Sequence, residues 1–361
     1  MIDAIIHPMA LVFLFVFTHF ISLASSADPL APALYVFGDS LFDSGNNNYL
    51  PTAARANFRP YGFDFVDGET GRFTNGRTVP DFFAEFLGLP YAPPYMRLRL
   101  STPLTGLNYA SASCGILPET GRRLGKCLNL DEQIDLFEHT VNKQLPKHFK
   151  STEELLQYLS KSLFFVSVGN NDYMSNYFDH KHFDTSTRFT PEAFAQFLVD
   201  RLAEKFQRLY NIGARKVVMY EIGPIGCVPS FAKRHEHNGT CHEEANQMAK
   251  DFNDKLHVML QNLTTSLQGS IFVHNHAHWI GYDAVINPPK YGLVDTGNAC
   301  CETWSNGTSG CIPFRKPCPN PNANYFFDAF HLSETVCNVL ASRCMNDTTA
   351  CTPVLNDVIK M

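Results

Sequence analysis

The sequence predicts an α/β fold, a parallel sheet with helices packed on both of its faces. Two observations carry this. Short, almost continuously apolar runs alternate along the chain with helical segments of about a dozen residues or more, the pattern of strand–helix–strand crossovers. Several of the runs stop at glycine followed by polar residues, at 38–40, 169–172 and 223–226. In a parallel sheet such ends gather along one edge, where residues distant in sequence can meet.

Taken in order, Leu34-Tyr35-Val36-Phe37 has strand character and ends in Gly38-Asp39-Ser40 and a Gly/Asn cluster. Gly, Asp, Ser and Asn all punctuate turns, so this is either an ordinary strand-to-turn transition or a hydroxyl presented at a sheet edge. Residues 51–80 read as polar loop, with Arg72-Phe73-Thr74-Asn75-Gly76-Arg77 inside it. Residues 81–88 read as a short amphipathic helix closed by glycine. The stretch 106–111 is a strand end running into small residues. Ile134, Phe137, Val141 and Leu145 recur at helical spacing across 131–145. A buried-type strand follows at 163–168 and stops at Gly169-Asn170-Asn171-Asp172. Phe194, Phe197, Leu198, Leu202 and Phe206 share one face of a helix over 193–209, which Gly213 closes. Residues 216–220 form the next strand, ending in Gly223-Pro224-Ile225-Gly226-Cys227. A helix over 243–267, a strand from 270 and a helix over 333–344 complete the pattern. No internal repeat or linker divides the chain, so one domain is expected over 28–361.

A chain of 361 residues can bury a substantial core. Its 29 Lys+Arg against 35 Asp+Glu, with no basic stripe, argue against nucleic acid as a partner. Thirty phenylalanines and fourteen tyrosines supply core, and some are available to line an apolar cleft. The N-terminus carries an apolar run at 10–17, extended to 23, and then Ala24-Ser25-Ser26-Ala27. That is the pattern of a secretory signal over 1–27, although Asp3 and His7 stand where Lys or Arg is usual; an uncleaved anchor is the alternative. No second run of about 18 apolar residues follows, so no membrane span is expected after signal removal. N-x-[ST] sequons begin at Asn238, Asn262, Asn306 and Asn346, and each would matter only in a secreted, extracellular protein. Eleven cysteines without a C-x-x-C point to disulfides rather than zinc. Cys114/Cys127 and Cys227/Cys241 each bracket a short loop, Cys300, Cys301, Cys311 and Cys318 crowd one Pro/Asn-rich patch, and the odd total leaves at least one thiol over.

Acyl transfer needs a nucleophile, a base, an orienting carboxylate and donors for a developing oxyanion. Ser40 is the candidate nucleophile. Asp328 and His331, three residues apart, can be presented by one turn, the carboxylate holding one ring nitrogen while the other faces Ser40. On its own such a pair reads as a helix cap beside a surface histidine. There is no G-x-S-x-G, H-E-x-x-H, Walker loop or G-x-G-x-x-G, which argues against a nucleophile elbow, a zincin and nucleotide chemistry.

F-G-D-S-L at 37–41 with Asp43 and Gly45-Asn46-Asn47, Gly106-x-Asn-Tyr-Ala-Ser at 106–111, Gly169-x-Asn171-Asp172 and Asp328-x-x-His331 resemble the four blocks of the GDSL (SGNH) esterase/lipase family. Arg72–Arg77 and the stretch from Gly223 to Pro229 are similar to its plant secreted branch. The resemblance covers roughly residues 33–345. It implies a three-layer α/β/α fold with a mostly parallel, flavodoxin-like sheet, and a Ser40–His331–Asp328 triad. The implied oxyanion donors are the Ser40 N–H, the Asn171 side chain and a block-two N–H. Where many members carry Gly-Gly after Ala-Ser, this chain has Ala112-Ser113-Cys114-Gly115; Ser113 is the expected donor there, without glycine's backbone freedom.

His274, His276 and His278 alternate and would share one face of a strand. With no carboxylate at matching spacing they read as a strand-end cluster, and neither a metal nor an organic cofactor is expected. The expected activity is therefore hydrolysis of a small-molecule, lipid or polymer ester by a secreted enzyme. The alternatives are an extracellular acyltransferase on the same site and a catalytically silent cell-wall binding protein.

Overall fold

Apolar side chains on every residue of a short strand require cover on both faces, and the chain supplies it. The computed structural model describes residues 28–98 and 102–361, so the expected signal segment lies outside the described residues. Four strands, β1 (Leu34–Gly38), β2 (Leu163–Ser167), β3 (Lys216–Tyr220) and β4 (Ile271–Asn275), pair in parallel in that order. A small separate ribbon joins β5 (Asp295–Ala299) to β6 (Asn324–Phe326), and β7 (Cys351–Thr352) adds to β4 antiparallel.

On the other side of β1, residues 105–111 run parallel to it. Leu34 N–H donates to Thr105 O at 3.0 Å, Val36 N–H to Leu107 O at 2.9 Å, Tyr109 N–H to Val36 O at 2.7 Å and Ser111 N–H to Gly38 O at 3.0 Å. With this segment included, the second stretch of the chain lies outside the first and the later strands follow on the far side. That is the flavodoxin-like order, and β1 is its switch point.

Tyr35, Phe37, Phe164, Val166, Val217, Met219 and Phe272 pack against helices Leu130–His139, Thr152–Lys161, Pro191–Ile212 and Glu243–Ser266. Their alternating neighbours, Leu34, Val36, Leu163, Phe165, Val218, Tyr220 and Val273, face helices Val79–Leu87, Ala277–Ile286, Glu334–Asn346 and Leu355–Lys360. The three layers follow from the period of two along each strand.

Helices Ala277–Ile286 and Leu355–Lys360 and strands β5, β6 and β7 fall outside the sequence reading, and three further elements differ from it. The first helix begins at Val79, because Thr78 caps it and Asp81 bonds back to the Thr78 N–H at 2.8 Å. The helix expected over 131–145 is regular only to His139 and then loosens into a π-helical turn and a tight last turn around Pro146, which has no N–H to give. Thr152–Lys161 is an unforeseen helix; only Leu155 and Leu159 are buried, too thin a stripe to stand out.

Disulfides join Cys114–Cys127, Cys227–Cys241, Cys300–Cys318, Cys301–Cys311 and Cys344–Cys351, and the unpaired thiol is the buried Cys337.

Candidate active site

At the end of β1 the backbone passes so close to β2 that only glycine fits. Gly38 has φ +139°, and a Cβ there would lie 2.1 Å from Ser167 O. The chain then turns at once, with Asp39 O accepting from the Phe42 and Asp43 N–H groups at 3.2 and 3.0 Å. Ser40 stands on that turn, at the carboxyl edge of the sheet and at its switch point.

His331 Nε2 lies 2.7 Å from Ser40 Oγ, and its Nδ1 lies 2.7 and 2.8 Å from the two Asp328 oxygens. Asp328 is fully buried. Its Oδ1 also accepts from the Phe330 and His331 N–H groups at 2.8 Å each, so one turn fixes the carboxylate and the ring together. The Tyr61 hydroxyl donates to Asp328 Oδ2 at 2.5 Å and itself accepts from the Cys311 N–H at 3.2 Å. Burial pushes the Asp328 carboxyl up, but the charge and hydrogen bond of His331, then the Tyr61 and Phe330 donors, outweigh it and hold the group below its ordinary value. Phe73 packs on the His331 ring with centroids 4.8 Å apart. Its own loop is anchored by a buried two-point pair between Arg72 and Asp81, at 2.8 and 2.7 Å.

The Gly/Asn cluster after Ser40 is a clamp. Asp43 Oδ1 accepts from the Gly45 and Asn46 N–H groups at 2.7 Å each, and its Oδ2 from Ala112 N–H at 3.2 Å. Asn46 Nδ2 donates to Asn108 O and Ala110 O at 2.9 and 2.8 Å. Asn47 donates to Ala112 O at 3.0 Å and accepts from its N–H at 3.1 Å. These three side chains fix the path of 108–112, and with it the residue that follows.

Ser113 has φ +71°, in the left-handed region that glycine favours. The missing glycine therefore appears as backbone strain, at a typical cost of about 1–2 kcal/mol. Its Oγ is buried and unpaired, and neither the Ser113 nor the Ser40 N–H takes part in backbone hydrogen bonding among the described residues. Asn171 arrives from the end of β2; its Nδ2 donates to Cys114 O at 3.0 Å and stands 3.5 Å from Asp39 Oδ2. Asp172 holds the other end of the block-two loop, accepting from the Ile116 and Leu117 N–H groups at 2.8 and 3.0 Å. Burial lifts the Asp39 carboxyl from 3.8 to about 7, since the Leu41 N–H and the His331 charge offset the desolvation only in part.

Ser40, Ser113, Asn171, Asp328 and His331 all line one cleft of about 580 Å³. Its walls are largely apolar, including Phe42, Phe58, Met174, Tyr220, Phe231 and Trp304, and Arg55, Arg123 and Arg234 also line it. The five residues expected for the triad and the oxyanion hole thus line one cleft. Tyr61 carried no signal in the sequence, being one aromatic in a polar loop; Phe73 and Asp43 lay inside motifs whose individual roles only the contacts reveal.

The remaining candidates lie elsewhere. Asn238, Asn262, Asn306 and Asn346 are all exposed. The three alternating histidines do not share a strand face, because β4 ends at Asn275 and His278 belongs to the following helix. The carboxylate absent from their spacing is supplied by Glu221, one residue past β3.

The family model described as GDSL-like Lipase/Acylhydrolase matches residues 34–343. GDSL esterase/lipase 7 of Arabidopsis thaliana is 45% identical over 321 residues, covering 87% of each chain. Another Arabidopsis thaliana GDSL esterase/lipase is 40% identical over 319 residues, covering 86% of each. A solved structure, phospholipase A1 from Streptomyces albidoflavus NA297, aligns with 91% of this chain and 99% of its own at 14% identity and TM-score 0.34, too loose a superposition to carry argument.

Proposed function

From the fact that this chain belongs to the GDSL-like lipase/acylhydrolase family, we propose that it is a secreted carboxylic ester hydrolase working through an acyl-serine intermediate on Ser40. The observation that carries the mechanism is the continuous line from Asp328 through His331 to Ser40 in the wall of the cleft, at 2.7 and 2.7 Å.

His331 Nε2 accepts the Ser40 proton as Oγ attacks the ester carbonyl. Asp328 keeps the opposite nitrogen protonated and stabilises the imidazolium that forms. The negative oxygen of the tetrahedral intermediate is met by the Ser40 and Ser113 N–H groups and by Asn171 Nδ2. His331 returns its proton to the departing alkoxide, and water, activated by the same ring, then releases the acid. Each of these roles is filled by a group of the protein itself. The apolar walls suit an acyl chain lying along the cleft, as in a lipid or polymer ester.

The relatives' names support the reaction class, and the constellation argues against a silent binding protein. Five disulfides and four exposed sequons support secretion, with Asn238, Asn262, Asn306 and Asn346 as glycan acceptors.

Ser40→Ala tests the reading. The purified variant should melt as wild type does, lose turnover of p-nitrophenyl acetate and butyrate, and no longer take up a fluorophosphonate label. Undiminished turnover or labelling would overturn the assignment of Ser40.

A further inference from the structure

Outside the triad, a carboxylate and two imidazoles gather at the ends of β3 and β4. Glu221 Oε1 lies 3.0 Å from His274 Nε2 and 3.3 Å from His276 Nδ1, and the three atoms all fall within 4.8 Å of one another. Four ligands around zinc at about 2.0–2.1 Å lie roughly 3.3 Å apart along a tetrahedral edge. Two edges of the cluster come close to that spacing. His274 is buried, and although its Nε2 is near the carboxylate it makes no hydrogen bond there. In the tautomer that carries its proton on Nδ1, a lone pair at Nε2 faces Glu221 and His276 with no donor to meet it, a costly state in a protein interior that a cation would relieve.

The surroundings are those of a metal centre. A ligating histidine uses its other ring N–H to fix its tautomer. His276 Nε2 lies 3.1 Å from Thr352 Oγ1, which can accept from it while donating to Thr348 O at 3.4 Å. His274 Nδ1 lies 3.0 Å from His257 Nδ1, and when His274 donates that proton its Nε2 is free to ligate. His257 Nε2 in turn faces the Gln261 side-chain amide at 2.9 Å. The second oxygen of Glu221 is occupied by the His278 N–H at 3.1 Å, which aims the first at the histidines. The His276 side chain is a quarter exposed, which gives an ion a route in and leaves one position for water.

We propose that Glu221, His274 and His276 form a binding site for one divalent transition-metal ion, zinc by its donor set of two imidazoles and one carboxylate. Neutral nitrogen with one carboxylate oxygen suits zinc over magnesium or calcium, which take all-oxygen shells. The ion would tie the end of β3 to the end of β4, beside their last ladder bonds. Glu221 also lines the cleft, and two residues on the Gly223 N–H donates to Asn170 Oδ1 at 3.1 Å, so this tie holds the wall beside Asn171. Its role is structural, and no step of the ester chemistry runs through it.

The site is tested on full-length secreted protein, stripped with a chelator and dialysed. Titration with zinc chloride should show one equivalent bound per chain by elemental analysis, and a Tm several degrees higher than the stripped protein; magnesium chloride should do neither. Cobalt(II) should give visible bands of tetrahedral intensity. His276→Ala, at a half-buried position where folding is least at risk, should lower zinc affinity at least tenfold and abolish the cobalt bands, and Glu221→Gln should do likewise. Less than one equivalent of zinc, no shift in Tm, or binding unchanged in both variants would overturn the site.

Discussion

The hydroxyl of Tyr61 sits 2.5 Å from Asp328 Oδ2, across 267 residues of sequence, and among the described residues it is that oxygen's only donor besides the His331 ring. A buried carboxylate that must stay ionised depends on such donors, each typically contributing about 1.5–3 kcal/mol.

Tyr61→Phe keeps the ring among Phe58, Phe73 and Phe327 and removes only this donor. We expect kcat to fall about tenfold with KM nearly unchanged. There is also a pH signature. Asp328 is held below its ordinary value in the folded protein, so its ionised form contributes stability above the unfolded pKa, and this is lost as pH falls through the folded one. Without the phenol the folded value rises, and acid unfolding should begin at a higher pH. Matching kcat and matching acid unfolding curves would show that Tyr61 is only packing.

Asn171→Ala removes the side-chain donor to the oxyanion. The expected loss is on the order of a hundred- to a thousandfold in kcat, with little change in KM, because the developing charge is met only in the transition state. A loss confined to KM would place Asn171 in ground-state binding instead.

Ser113→Gly separates backbone from side chain. The role proposed for Ser113 uses its N–H alone, and glycine relieves the left-handed strain at φ +71°. Activity should be kept, and stability should move by no more than about 1 kcal/mol, since relief of strain offsets the added freedom of the unfolded chain. A tenfold drop in kcat would mean that the buried, unpaired hydroxyl takes part.

Asp39 ties stability to pH in the opposite sense to Asp328. Its folded value, about 7, lies above the ordinary 3.8, so its contribution is fully present below about pH 4 and is lost as pH rises towards 7. Through this group, thermal melts of the wild type should therefore fall between about pH 4 and pH 7 and level off above that. Asp39→Asn should flatten that slope, and an unaltered slope in the variant would assign it to other groups.

How much of this was legible in the sequence depends on the distance over which each feature is encoded. The strands announced themselves because a sheet covered on both faces needs unbroken apolar runs, and Gly38, Gly169 and Gly223 marked their ends. Ser40, Asp328 and His331 were readable as residue types that acyl transfer requires, and Asn171 only through the resemblance to the family's third block. Tyr61 was not, because its partner lies near the other end of the chain and a hydrogen bond across a loop leaves no periodic trace. Glu221 was hidden from the three histidines for the same reason: a parallel crossover, here a whole helix, separates the strand it follows from theirs. The strain at Ser113 was foreshadowed only as a missing glycine.

The nucleophile and its base are 291 positions apart, one leaving the first strand and the other just before the last long helix. At about 5–20 residues per second of synthesis, Ser40 emerges on the order of half a minute before His331. Throughout that interval the growing chain holds Ser40 without the base proposed for it, so on this reading a product ending before His331 has no triad. The order in which the fold is threaded thus acts as a timer. On the proposed mechanism, hydrolysis begins only once the chain has been made through its last block.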